Sequence, residues 1–134
     1  DYYSIRWTGW INIETAGTYS FATVSDDSSM LYIDGGLVVD NGGNHASRTR
    51  SGSVTFSDTG LYAIEMTYHE YGGVANAGLL WSTGVVAANY QVISSDYLFY
   101  DDGTTQPPAV PEPATMALFC LGLVGLAGVS RRKL

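Results

Sequence analysis

Hydrophobic and polar positions alternate through most of the first hundred residues. Ile5, Trp7, Gly9, Ile11 and Ile13 fall on one face of an extended chain, and Arg6, Thr8, Trp10, Asn12 and Glu14 fall on the other. A period of two marks a strand with one buried face. Ala16-Gly17-Thr18 is a turn into Tyr19–Val24, and Ser25–Ser29 reads as a polar loop. Met30–Ile33 and Leu37–Val39 flank Asp34-Gly35-Gly36, a hairpin signal. A loop opens at Asn41-Gly42-Gly43-Asn44-His45 and runs to Ser51; Ser53–Phe56 is a short strand. The clearest strand follows, where Tyr62, Ile64, Met66 and Tyr68 alternate with Ala63, Glu65, Thr67 and His69. Tyr71–Asn76 is a glycine-containing loop, Ala77–Ser82 the next strand, and Tyr90–Ile93 a last weak one. Many short strands with frequent turn signals predict an all-β antiparallel sandwich or barrel.

The pattern changes after Asp102. Residues 104–110 form a linker, and 1–103 remain as one domain, long enough for a core. Pro111-Glu112-Pro113 is a stiff stop, because proline fits neither a helix interior nor a central strand. An uncharged run, 114–129, follows, and Arg131-Arg132-Lys133 ends the chain. The run predicts a hydrophobic transmembrane helix whose basic end stays in the cytoplasm, placing the domain outside it. Sixteen residues span about 24 Å against roughly 30 Å of hydrocarbon, so the anchor is marginal. Export needs a leader, and Asp1-Tyr2-Tyr3 is none, so a preceding segment is expected.

Charge narrows the partners. Residues 1–110 hold three arginines against twelve carboxylates, an excess of nine negative charges. Such a surface repels phosphate backbones and excludes nucleic acid, and it tolerates cations and neutral polar ligands. The one cysteine, Cys120, lies in the apolar run, so the exported part has no disulfide and no thiol chemistry. Ten tyrosines and three tryptophans supply flat amphipathic faces.

Enzyme constellations are missing from the sequence. His45 and His69 lack metal-site spacing, and no serine stands in a Gly-x-Ser-x-Gly setting. Glu65 and Glu70 lie on opposite strand faces by parity, which argues against a glycosidase pair. Tyr68 and Trp81 read as core. Trp10 reads either as a cover for the second sheet or as a sugar-stacking face.

Two family resemblances follow. The ordered Pro111-Glu112-Pro113, apolar run and Arg131-Arg132 cluster resembles the PEP-CTERM sorting signal of Gram-negative bacteria. It implies recognition and removal of the helix by an exosortase-type membrane protease in an exopolysaccharide producer. An ordinary membrane anchor is the alternative. Four motifs in order resemble the anthrax-protective-antigen-type (PA-fourteen) domain. They are Ile5-Arg6-Trp7-Thr8-Gly9-Trp10, Ala16-Gly17-Thr18-Tyr19-Ser20-Phe21, Ser25-Asp26-Asp27 leading into Leu31-Tyr32-Ile33-Asp34-Gly35, and Leu79-Leu80-Trp81. The resemblance covers residues 3–99 and implies an antiparallel β-sandwich without the family's opening strands.

In the family's lectins, adjacent aspartates hold Ca2+, often across a cis peptide, and the ion binds sugar hydroxyls. The resemblance carries that role to Asp26 and Asp27, with Glu70 and the Gly72 carbonyl completing the metal site. Asn41, Asn44 and His45 join the aspartates as candidate carbohydrate contacts, with turn chemistry as the alternative. The expected function is a non-catalytic, calcium-dependent glycan- or exopolysaccharide-binding module at the bacterial surface or matrix. It is anchored transiently in the inner membrane. A structural domain without sugar specificity, and the targeting part of a larger polysaccharide-acting enzyme, are the alternatives.

Overall fold

The structure, a computed structural model, describes residues 2–84 and 89–100. The linker, the proline pair, the apolar run and the basic cluster lie outside them. Among the described residues no helix is long and apolar enough to cross a membrane.

The described chain is all-β. Its strands are β1 (Tyr3–Ile13), β2 (Gly17–Asp26), β3 (Ser28–Ile33), β4 (Gly36–Asn41), β5 (Arg48–Phe56), β6 (Gly60–Glu70), β7 (Asn76–Thr83), β8 (Gln91–Val92) and β9 (Leu98–Tyr100). A 3-10 turn, Ser95–Tyr97, leads into β9. Five strands form one sheet in the order β4-β3-β6-β1-β9, and four form the other in the order β5-β2-β7-β8. All pairings are antiparallel. Asp34 and Gly35, with φ of 48° and 75°, make the two-residue β3–β4 hairpin in the handedness that suits strand twist.

The inner faces build the core from Ile11, Ile13, Tyr19, Phe21, Leu31, Ile33, Val39, Phe56, Ile64 and Met66. Phe21 is fully buried. It stands between Phe56 and Trp81, with ring centroids 6.4 Å from each. Burying a side chain of that size contributes about 1.5–3 kcal/mol. Tyr68 and Trp81 pack inward as their parity predicts.

Four expectations are corrected. Ser25–Ser29 is not a loop: β2 runs through Asp26 and β3 begins at Ser28, leaving Asp27 alone between them. The serines pair inside the sandwich, which lets strand continue through polar residues. β5 begins at Arg48, not Ser53, because it pairs β2 as far as Ser25. Trp10 does not cover the second sheet. It alternates with the inward Ile11 and lies outside the core cluster. Tyr3, Ile5 and Trp7 hold the inward register yet remain 42, 38 and 46% exposed. There β9 pairs β1 only across Gly9–Ile11, so the edge from Tyr3 to Thr8 is open among the described residues. Beside it a cleft of about 300 Å3 is lined by Trp7, Gly9, Met66, Leu79 and Phe99.

Candidate functional site

The inner faces change character towards one end of the sandwich. On β2 the inward register runs from Tyr19 and Phe21 to Thr23 and Ser25; on β3 it runs from Leu31 to Ser29, and on β4 from Val39 to Asn41. All four of these polar residues are buried. They satisfy one another, as buried polar groups must. The Ser25 and Ser29 hydroxyls lie 2.7 Å apart, and Ser29 donates to Thr23 Oγ1 at 2.9 Å. Asn41 Nδ2 donates to Ser25 Oγ at 3.0 Å. Arg48 Nε donates to Asn41 Oδ1 at 2.8 Å, and its Nη2 donates to the Gly42 carbonyl at 2.8 Å. This network closes the base of the β4–β5 loop.

Above it sit the paired aspartates. The Asp26–Asp27 peptide is cis. Asp27 is 3% exposed. Its Oδ1 accepts the His45 N–H at 2.8 Å and its Oδ2 accepts the Tyr71 N–H at 2.9 Å. Asp26 Oδ2 accepts the Ser47 N–H at 3.0 Å. Two neighbouring carboxylates therefore tie both the β4–β5 and the β6–β7 loops to the β2–β3 turn.

Glu70, the last residue of β6, is equally buried. Its Oε1 accepts the Gly72 N–H at 2.7 Å. The Tyr68 hydroxyl shares its proton between Glu70 Oε2, at 2.6 Å, and the Asp26 carbonyl. Burial, reinforced by the adjacent Glu70 carboxylate, raises the Tyr68 phenol well above its ordinary pKa. It stays protonated and bridges the two halves of the site. Gly72 and Gly73 have φ of 119° and 111°, a backbone that side-chain-bearing residues rarely adopt.

The fold thus brings Asp26, Asp27, His45, Glu70 and Gly72 to one end. Asn44 is exposed in the β4–β5 loop. The His45 ring nitrogens lie 3.0 Å from the Asn41 and Ala46 carbonyls, so that ring is held against its own loop. Among the described residues no three His, Cys, Asp or Glu side chains converge as a metal-holding group.

A hard cation nonetheless suits the donor set. Each carboxylate oxygen that accepts one N–H retains a further lone pair, and Ca2+ takes oxygen ligands from side chains and main chain alike. Asp27 and Glu70 are buried anions. The ion pair among the described residues, Arg6–Glu65, lies elsewhere, and Arg48 is occupied by neutral oxygens.

Asn41, read from the sequence as a candidate sugar contact, is instead fully buried in the polar network, and Arg48 was missed altogether. The available signal was parity: Asn41 shares the inward register of Val39. The N–H donors at 45, 47 and 71 carry no side-chain signal at all.

An antiparallel sandwich with a buried polar network beneath three connections at one end is an architecture suited to a binding-type domain. Residues 1–92 match the PA14 domain, and the chain belongs to that family. Residues 109–133 match the PEP-CTERM protein-sorting motif, which marks an exported, sorted protein. The chain is 33% identical over 103 residues to "Anti-sigma-I factor RsgI3" of Acetivibrio thermocellus, covering 77% of this chain and 16% of that protein. It is similar to the PA14 domain of the MpAFP antifreeze protein, with a TM-score of 0.65 and 29% identity over 71% of this chain and 50% of that one. It is also similar to the "PA14 sugar-binding domain from RTX adhesin", with a TM-score of 0.62 and 28% identity over 72% of this chain and 54% of that one. The chain therefore spans about a sixth of the curated relative and about half of these two solved chains.

Proposed function

We propose that this chain is a calcium-dependent carbohydrate-binding module, without catalysis of its own, sorted to the bacterial surface or matrix. The observation that carries the reading is the pair of adjacent carboxylates joining three loops beside buried Glu70, with no cationic side chain paired to them among the described residues. Asp26 and Asp27 would hold the ion, with Glu70 and the Gly72 carbonyl. Bound calcium supplies open coordination positions for neighbouring sugar hydroxyls. Asn44 offers a free amide at the rim, and His45 offers its ring face, since both ring nitrogens already meet carbonyls. The sugar-binding relative from an RTX adhesin supports the ligand class.

A glycan array run on the protein with and without chelator tests this. Binding that disappears with EDTA and returns with Ca2+ is the expected result. No glycan signal under either condition leaves the second reading, a structural or interaction module, which the anti-sigma-factor and antifreeze relatives favour.

The sorting reading divides the chain into a domain (1–103), a linker (104–110) and a signal (111–134) with an apolar helix (114–129). An exosortase-type protease would cut near Pro111-Glu112-Pro113, while Arg131 and Arg132 keep the end cytoplasmic. Intact mass of the protein released from its producer is expected to lack everything beyond that region. A mature species ending at Leu134 leaves a plain inner-membrane anchor.

A further inference from the structure

The outer face of the five-stranded sheet carries a second amphipathic hollow, away from the loops. On this face Thr8 of β1, Glu65 of β6 and Tyr32 of β3 stand in one row across three strands, and Trp10 stands opposite Ala63 in the next. Trp10 and Tyr32 rise from strands two apart and from adjacent rows, about 12 Å between their backbones. Ala63 is too small to fill the space between them. A hollow of about 220 Å3 remains, lined by Thr8, Trp10, Tyr32, Gly35, Ala63 and Glu65. That is below the usual range for a drug-sized ligand and suits a single small ring.

Its chemistry is specific. Arg6 Nη2 donates to Glu65 Oε2 at 2.6 Å, and that hydrogen bond holds the Glu65 carboxyl below its usual range. The hollow is thus lined by a carboxylate whose charge Arg6 balances from outside it. The Tyr32 hydroxyl donates to Met30 Sδ at 3.3 Å, so its oxygen is free to accept. The Trp10 indole N–H is shielded from solvent and has no hydrogen-bond partner among the described residues. That N–H is out of a water's reach, so what the hollow offers a ligand is the indole's ring surface.

We propose that this hollow is a second, calcium-independent subsite that takes one pyranose ring of a neutral polysaccharide. The apolar ring faces meet the indole and phenol, and the ring hydroxyls meet Thr8, Glu65 and Tyr32. Competing ligands fit less well. An anion meets Glu65 and the acidic surface, whereas a cation finds Glu65 already paired with Arg6. A peptide strand would pair along the open β1 edge rather than over β6, which is paired on both sides. The hollow lies five residues along β6 from Glu70, about 17 Å, so one polymer can reach both sites and gain by multivalency. The inference shares the glycan reading only in its ligand class.

Affinity gel electrophoresis of the protein in EDTA, through dextran, laminarin, xyloglucan or glucomannan, tests it independently of calcium. At least one polymer is expected to retard the protein. Trp10→Ala and Tyr32→Ala are each expected to weaken that retardation about fivefold. Tyr32→Phe and Glu65→Gln, which preserve volume, give the same reading should Trp10→Ala not fold: a loss with either supports the subsite. No retardation by any of the four overturns it, as does retardation unchanged in the folded variants. Failure of the calcium reading appears instead as a glycan array indifferent to chelator, and it leaves this result standing.

Discussion

Millimolar Ca2+ is expected to raise the melting temperature of the protein, with Mg2+ doing far less and Asp27→Asn abolishing the response. A ligand bound only by the folded state stabilises it by RT ln(1 + [Ca2+]/Kd), about 2.7 kcal/mol at a hundredfold excess over Kd. Extracellular calcium modules have Kd on the order of 0.1–1 mM. At 1 mM Ca2+ those Kd values give about 0.4–1.4 kcal/mol, which for a domain near one hundred residues corresponds to about 2–10 °C. Mg2+ demands tighter octahedral geometry and gives up its waters reluctantly. Asp27→Asn keeps the shape of the side chain and leaves an oxygen for the His45 N–H. It also turns an amide NH2 towards the Tyr71 N–H, so the variant loses baseline stability as well. The decisive quantity is therefore the calcium-induced shift in differential scanning calorimetry, wild type against variant. A wild-type melting temperature indifferent to calcium would sink the metal site.

Gly52→Ala is expected to destabilise the fold by about 3 kcal/mol, the upper end for overpacking. Gly52 lies opposite Phe21 and faces the core. A methyl group there would overlap the Val38 carbonyl oxygen, where β4 of one sheet passes β5 of the other. A backbone carbonyl cannot rotate away as a side-chain tip can, so a strand must move. The neighbouring Ser51 and Ser53 are exposed, and alanine at either should cost no more than about 0.5 kcal/mol. Urea unfolding midpoints of the three variants check this. A Gly52→Ala midpoint matching the serine variants would show that the sheets do not close on each other there.

The residues most legible in the sequence were those whose neighbours along the chain define them. Ile11, Ile13, Ile64 and Met66 announced their burial by alternation, and Asp34-Gly35 announced its hairpin. Asp26 and Asp27 stood out as a pair through family resemblance, and the fold set them among three loops. What stayed hidden depends on partners distant in sequence. Ser25 and Ser29 look like a loop until Asn41 and Thr23 supply their hydrogen bonds. Arg48 looks like a surface charge until Asn41 faces it. Ile5 and Trp7 keep the inward parity of Ile11, but parity alone does not say how far the opposite sheet extends. β9 is three residues long, too short for any periodicity to register.

The four donors that join loop to carboxylate are all main-chain N–H groups, from His45, Ser47, Tyr71 and Gly72. Such a frame is indifferent to the side chains those residues carry, because every residue except proline offers the same donor. At 71 the side chain can be exchanged while the loop keeps its anchorage, whereas the His45 ring and the Ser47 hydroxyl add contacts of their own. Architecture and selectivity are thereby written in separate parts of the chain. Under the proposed binding role, descendants of this module could change what they recognise by drift at the rim without first surviving a loss of fold.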